Sequence, residues 1–274
     1  AATAGSYANG THEGEVLAID GDSSSNHMCM IASRGNVVCW GSNNYGQLGD
    51  GTTTDRTPST GFSFPSDAVD LGTGVNATDI SVGHAHSCAI ITNGSVMCWG
   101  YNYWGQLGDG TFNSRSTPGL VSSFGTGRTA ISIESGEYHT CALLDNGSVS
   151  CWGRDNSGQL GRGFQSNTPS TTPVTVVNYH NFTEIAAGGS ATCGILDNGS
   201  VSCWGRQVVS TGAALFGSGI TGIPSLIANG SMGQAAVSIS MSNDHTCAIT
   251  LNGSLHCAGD NYHYELGFSD MQPR

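Results

Sequence analysis

The chain has 274 residues, 41 of them glycine, and a formal net charge of −12; its eight cationic side chains are all arginine. That balance opposes nucleic acid, whose affinity rests on neutralised phosphates, and it opposes anionic membrane surfaces; without lysine, P-loop and Schiff-base chemistry are excluded. No run approaches the ~18 apolar residues of a membrane span, and neither G-x-S-x-G nor H-E-x-x-H occurs, so no catalytic residue, cofactor or metal is expected.

In chain order, the sequence opens on Ala-Ala-Thr with no Met and no basic and apolar leader, as expected once an export signal has been removed. EVLAIDG (15–21) reads as a strand. Next comes NHMCMIASRGNVVCWG (26–41), an apolar run, a polar tip with Gly, and a second apolar run, which is the pattern of a β-hairpin. It recurs as HSCAIITNGSVMCWG (86–100), HTCALLDNGSVSCWG (139–153), ATCGILDNGSVSCWG (191–205) and HTCAITLNGSLHCAG (245–259). Each copy holds one C-x9-C pair: Cys29 with Cys39, Cys88 with Cys98, Cys141 with Cys151, Cys193 with Cys203, and Cys247 with Cys257. Their first members are 59, 53, 52 and 54 residues apart, and no cysteine is left over.

A three-residue tip such as Asp145-Asn146-Gly147 suits a type I turn closed by glycine in the left-handed region. It pairs Leu144 with Ser148, Leu143 with Val149, Ala142 with Ser150 and Cys141 with Cys151. Counting from the tip puts the cysteines at a non-hydrogen-bonded site, where Cα atoms stand ~4.5 Å apart, within reach of a disulfide. A two-residue Asn-Gly loop would misalign the sulfurs. Zinc is the competing reading, but structural zinc favours ligands two to four residues apart, and no CxxC occurs. Five disulfides place the protein in an oxidising compartment, secreted or at the cell surface.

Between hairpins lie NNYGQLGDGT (43–52), NYWGQLGDGT (102–111) and DNSGQLGRG (155–163), then Thr-Pro turns at Thr57-Pro58, Thr117-Pro118 and Thr168-Pro169. Short strands, DISVGHA (79–85) and AISIESG (130–136), lead into the next hairpin. Four short strands per unit and no helix are the signature of a β-propeller. The phrase G-x-x-H-T-C-A-L … N-G-S-V-x-C-W-G-x-N-x-x-G-Q-L-G resembles the regulator-of-chromosome-condensation repeat. The resemblance implies a propeller, in that family usually of about seven blades, and a best-known activity, nucleotide exchange on a nuclear GTPase, that the acidic charge and paired cysteines oppose here. This chain departs from the pattern: five units are counted, Ala258 replaces the Trp of the fifth, Ala191 the His of the fourth, and RQVVSTGAALFGSG (206–219) the GQLG loop. The two termini together supply 45 residues around the cysteines, close to the 48, 42, 41 and 43 between successive hairpins. The expected fold is therefore one all-β propeller over residues 1–274, with five four-stranded blades, one disulfide per blade hairpin, and strand 15–21 closing the ring beside the last hairpin.

Several residues are candidates for function. His27, His86, His139 and His245 precede the first Cys and read either as a metal or titrating ring or, as the resemblance implies, as ties between blades. Asp50 and Asp109 of GDG invite calcium, but Arg162 stands in the third copy, which favours a structural turn. Trp40, Trp99, Trp152 and Trp204 read as blade packing rather than a sugar platform. Tyr45, Tyr101, Tyr103 and Trp104 lie in the loops before GQLG, where aromatics anchor contacts; they form the expected binding patch. Eight N-x-S/T sequons, at Asn9, Asn76, Asn93, Asn146, Asn181, Asn198, Asn229 and Asn252, are candidate glycosylation sites, although Asn-Gly-Ser is also what the turn demands. The apolar segment 206–230 is either an interface or packing for the fourth blade. The function expected is non-catalytic binding or adhesion outside the cell, with a protein or glycan partner. A self-assembling filament or surface-layer subunit, with copies of itself as partner, and a secreted enzyme inhibitor are the alternatives. No nucleic-acid partner and no membrane insertion are expected.

Overall fold

The computed structural model describes residues 16–21, 25–56, 68–177, 181–207, 219–226 and 234–267. These residues form five antiparallel sheets and no α-helix. The first holds β1 (Val16–Asp20), β2 (His27–Ala32) and β3 (Asn36–Gly41); the second β4 (Ala77–Val82), β5 (His86–Ile91), β6 (Val96–Gly100) and β7 (Arg115–Leu120). The third holds β8 (Ala130–Ser135), β9 (His139–Leu144), β10 (Val149–Gly153) and β11 (Ser170–Thr175). The fourth holds β12 (Phe182–Gly188), β13 (Ala191–Leu196), β14 (Val201–Gln207) and β15 (Gly219–Leu226); the fifth β16 (Ala236–Met241), β17 (His245–Thr250) and β18 (Leu255–Gly259). The inner strands β1, β4, β8, β12 and β16 lie around a central cavity of about 390 Å³ to which all five contribute. This is a five-bladed propeller architecture.

The hairpin register follows the tip chemistry. Gly147 has φ +79°, Leu144 N–H donates to the Ser148 carbonyl at 2.9 Å, and Val149, Ser150 and Cys151 pair with Leu143, Ala142 and Cys141. Every hairpin closes its disulfide across such a pair. Cys29 is bonded to Cys39, Cys88 to Cys98, Cys141 to Cys151, Cys193 to Cys203 and Cys247 to Cys257, with Cα–Cα distances of 4.0–4.1 Å. That separation is shorter than the ~4.5 Å of an unbridged non-hydrogen-bonded pair, so each bridge draws its two strands together. Each blade thus carries its hairpin tip at one rim, and the first three carry a GQLG loop at the other.

Two expectations are corrected. Val16–Asp20 does not lie beside the last hairpin: β1 pairs antiparallel with β2, Ile19 opposite Met30, as Ile80 of β4 lies opposite Ala89. It is the first blade's own inner strand. Thr117-Pro118 is no turn but part of β7, an outer strand, where proline's missing N–H is tolerated. Thr168-Pro169 does precede its strand, β11, and Thr57-Pro58 lies outside the described residues.

Each blade packs its cysteine face on the next blade's tryptophan face. Between the second and third blades, Cys88, Ile90, Val96 and Cys98 meet Ile133, Ala142, Leu144 and Trp152. The GQLG loop locks the first three joints. Trp99 Nε1 donates to the Gln47 carbonyl at 2.9 Å, Trp152 to Gln106 at 2.8 Å and Trp204 to Gln159 at 2.9 Å, and all three indoles are fully buried. Trp152→Ala is accordingly expected to lose about 3–5 kcal/mol, read as a lower urea midpoint at unchanged slope. Trp40, only half-buried, is expected to lose under about 2 kcal/mol in the same substitution; equal losses would refute the lock.

The three sequence departures meet at one joint. Blade four contributes Ala191 and the altered loop, and blade five contributes Ala258, so histidine, loop and tryptophan vanish together. What remains is a close backbone approach and an apolar contact. A Cβ at Gly188 would run into the Ser242 carbonyl, Gly189 N–H donates to Asn243 Oδ1 at 3.0 Å, and Ala186, Ile195 and Val201 pack on Ala236, Ile239, Ala248 and Ala258. The bridged Cys193 and Cys203 belong to the same cluster. Of segment 206–230, residues 219–226 supply the outer strand of blade four; the remainder beyond 207 lies outside the described residues.

Candidate interaction surface

The strand order separates two rims. One rim carries the hairpin tips; the other carries the GQLG loops and the turns between inner strand and hairpin. Tyr45, Tyr101, Tyr103 and Trp104 all sit on the loop rim and touch. Tyr45 and Tyr101 are 4.6 Å apart between ring centroids, Tyr101 and Tyr103 6.3 Å, Tyr103 and Trp104 5.0 Å. Tyr103 is 62% and Tyr45 49% exposed, so the rings face solvent while supporting one another.

Three further residues join this patch that loop reading missed. Tyr138 lies 6.4 Å from Tyr101 and 5.5 Å from His84. Arg154 holds its guanidinium 4.8 Å from the Trp104 ring and 5.6 Å from that of Tyr138, within cation–π range. Arg154 was findable: it follows Cys-Trp-Gly, as Tyr101 does. In both cases that position packs on the preceding blade's loop, Tyr101 on Tyr45 and Arg154 on Trp104. The patch thus spans three blades. Burial raises the Tyr101 and Tyr138 phenols above their ordinary pKa.

The histidines serve the joints. His27, His86 and His139 meet Ser87, Thr140 and Thr192 of the following blade at 2.8, 2.9 and 2.8 Å through Nε2. Burial pushes each down to a pKa of about 3. His245 instead bonds Ser242 within its own blade, at 2.7 Å. Among the described residues, no group of three or more His, Cys, Asp or Glu is placed to hold a metal. The second cysteines of the hairpins, Cys39, Cys98, Cys151, Cys203 and Cys257, are each spent on their own bridge, and no free thiol remains to serve as nucleophile or ligand. Asp50 accepts from Thr52 N, Thr52 Oγ1 and Arg56 Nε at 2.9, 2.7 and 2.8 Å, and Asp109 accepts from Thr111 in the same way. In the third copy the partners exchange character: Asp155 replaces asparagine, Arg162 replaces aspartate, and they pair at 2.6 Å. The GDG aspartates are loop staples.

Four carboxylates on the inner strands bridge the joints, and two of them, Asp20 and Glu134, line the cavity. Asp20 accepts from Val82 N–H at 2.6 Å, Asp79 from Ile133 N–H at 3.0 Å, and Glu184 from Ile239 N–H at 2.8 Å. Glu134 takes the Ala187 N–H, and burial, with Asp20, Asp79 and Glu184 as like charges nearby, raises its pKa well above the usual range. Each joint has one such bridge.

The sequons lie on the opposite rim. Asn93, Asn146, Asn198 and Asn252 are exposed at hairpin tips, where their Oδ1 atoms accept from the backbone N–H two residues on at 2.9–3.1 Å. Asn76 and Asn181, also exposed, offer their carbonyls to the tip residues Thr92 and Asp197. Asn9 and Asn229 lie outside the described residues.

Comparison with known proteins agrees with this architecture. The regulator of chromosome condensation (RCC1) repeat matches residues 34–90, 93–143 and 146–195. Over 166 residues the chain is 34% identical to the human protein described as probable E3 ubiquitin-protein ligase HERC4, covering 61% of this chain and 15% of that protein. It spans less than a quarter of the length of the curated relatives it matches. The crystal structure of human WBSCR16 superposes with TM-score 0.81 at 22% identity, over 96% of this chain and 66% of that one. The CRINKLY WD40 ectodomain of the Arabidopsis thaliana receptor kinase ACR4 superposes with TM-score 0.56 at 20% identity, over 94% and 74%. Repeat match, strand order and blade joints agree, and the chain belongs to the regulator of chromosome condensation (RCC1) repeat family.

Proposed function

We propose that the chain is a non-catalytic protein-binding scaffold that works outside the cell, and that the aromatic rim across its first three blades holds the partner. The observation that carries this is the exposed, mutually supported cluster of Tyr45, Tyr101, Tyr103, Trp104 and Tyr138 with Arg154 set between two rings. Aromatic and arginine side chains dominate binding hot spots, and loops on a rigid scaffold are where recognition concentrates. Five disulfides favour an oxidising setting, and a receptor ectodomain shares the fold. Glycans on the tip rim would leave the aromatic rim open.

The test uses the chain as bait for the secreted and surface proteins of its source. Tyr103→Ala with Trp104→Ala is expected to weaken capture at least ~30-fold, the scale of one lost hot spot, with the melting midpoint nearly unchanged. Substitution of the tip residues Asn93 and Asn146 is expected to leave capture intact. Capture that survives the aromatic double variant would overturn the assignment, and capture abolished by soluble oligosaccharide would make the partner a glycan.

A further inference from the structure

The inner strands bring one repeat position to the central cavity. Asp20, Ser81, Glu134, Ala186 and Ser240 each lie opposite the first cysteine of their hairpin, and all five line that cavity of about 390 Å³. Four of these side chains end in oxygen. The volume is that of a small-ligand site. Its charged wall is held by interior joints, since Asp20 reaches across to the Val82 N–H and Glu134 to that of Ala187.

Two features of this wall are unfinished. The inner strands carry Asp20, Asp79, Glu134 and Glu184 and not one cationic side chain. Burial and the like charges of Asp20, Asp79 and Glu184 therefore act on Glu134 together, and they raise its pKa. Next to it, Ser135 also lines the cavity. This serine is only 5% exposed, and its buried hydroxyl has no hydrogen-bond partner. A buried polar group left unpaired is costly, and a cavity walled by one sign of charge concentrates the opposite sign.

We infer that the central cavity is a binding site for a primary ammonium group, held by the Glu134 carboxylate and the Ser135 hydroxyl with Asp20 beside them. The other ligand classes fit less well. Among the described residues no group of three His, Cys, Asp or Glu is placed for a metal, and the cavity lining includes no aromatic ring on which a sugar could stack. An ammonium instead donates up to three hydrogen bonds, which suits a wall of carboxylate and hydroxyl oxygens. Val82, Ile239 and Met241 of the same lining supply apolar contact for its alkyl stem. The chain has no lysine of its own, so the group comes from a free alkylamine or from a lysine side chain of a partner. The site is separate from the aromatic rim, none of whose rings lines the cavity.

Calorimetric titration of the full chain with n-butylammonium tests this. Wild type is expected to show saturable binding at a single site. Tetramethylammonium, a cation with no N–H to donate, is expected to bind at least ~10-fold more weakly, the scale of one lost charge-assisted hydrogen bond. Glu134→Gln keeps an acceptor for the Ala187 N–H and loses the charge. It and Ser135→Ala are each expected to weaken butylammonium by a similar factor; melts establish that they fold, and Ser135→Ala carries the test if Glu134→Gln does not. Competition separates the two sources. A capped Gly-Lys-Gly peptide that displaces butylammonium makes the ligand a partner's lysine, and one that fails to displace it makes the ligand a free amine. Wild type that binds no butylammonium, or folded variants that bind it as wild type does, would overturn the proposal. So would binding lost in the Tyr103→Ala, Trp104→Ala double variant, which would put the cation on the aromatic rim instead.

Discussion

Reducing the five disulfides is expected to unfold the chain at room temperature. Each bridge closes a loop that the chain-entropy relation values at ~2.8 kcal/mol, so five together reach an upper figure of ~14 kcal/mol, lowered by structure in the denatured state. A domain's whole stability is only about 5–15 kcal/mol, and 41 glycines raise the entropy lost on folding. The bridges are not equally accessible. Eight of the ten cysteines are buried, from Cys29 and Cys39 in blade one to Cys193 and Cys203 in blade four, whereas Cys247 and Cys257 of blade five are half-buried. Graded reductant followed by alkylation and peptide mapping is therefore expected to label Cys247 and Cys257 first, with the remaining pairs opening together as the fold is lost. Thiol titration of unfolded, unreduced protein is expected to read zero; a value near ten would remove both the bridges and the oxidising compartment.

Acid is expected to destabilise the chain well before ordinary carboxylates titrate. The unfolded histidines take up protons near their ordinary value of 6.5, while folded His27, His86 and His139 stay neutral down to about pH 3. Every proton these three take between those values binds the unfolded chain alone. Their contribution is complete above pH 6.5 and falls as the pH drops through that window. Glu134 acts with the opposite sign. Its raised pKa means that the folded chain holds a proton the unfolded chain releases above about 4.5, so its share of stability is lost as pH rises. Between 6.5 and 4.5 the three histidines favour unfolding and Glu134 offsets part of their effect. Urea midpoints at pH 8, 6.5, 5 and 4 measure this slope. His139→Gln is expected to reduce it by one proton, and Glu134→Gln to steepen it. A flat profile from pH 7 to 4.5 would show that the joint histidines titrate normally.

The hairpins were legible in the sequence because their determinants are local. Asp145-Asn146-Gly147 sets the turn, the turn sets the register, and the register brings Cys141 to Cys151. The same logic holds where the tip differs: Ser33-Arg34-Gly35 still delivers Cys29 to Cys39. The ring position of 15–21 was misread because counting terminal residues gives a length and no hydrogen-bond partner; the match of Ile19 to Ile80 carried the answer. At the aromatic rim, Tyr45, Tyr101, Tyr103 and Trp104 stood out by their shared loop. Tyr138 and Arg154 lie outside those loops, Tyr138 before its hairpin and Arg154 directly after Cys-Trp-Gly. The bridging carboxylates were hidden for another reason. Asp79 and Glu184 occupy one repeat position and Asp20 and Glu134 another, so no single column of the repeat shows them.

The joint between blades four and five has a consequence for how such arrays diverge. Every interior hairpin serves two neighbours, its cysteine face forward and its opposite face backward. A freshly duplicated unit is accepted at once, because identical copies already fit each other in tandem. Drift is then constrained in linked sets that straddle two copies: Ala191 and Ala258 belong to different repeats yet answer to one boundary. Inheritance runs by blade, but selection acts on what lies between blades.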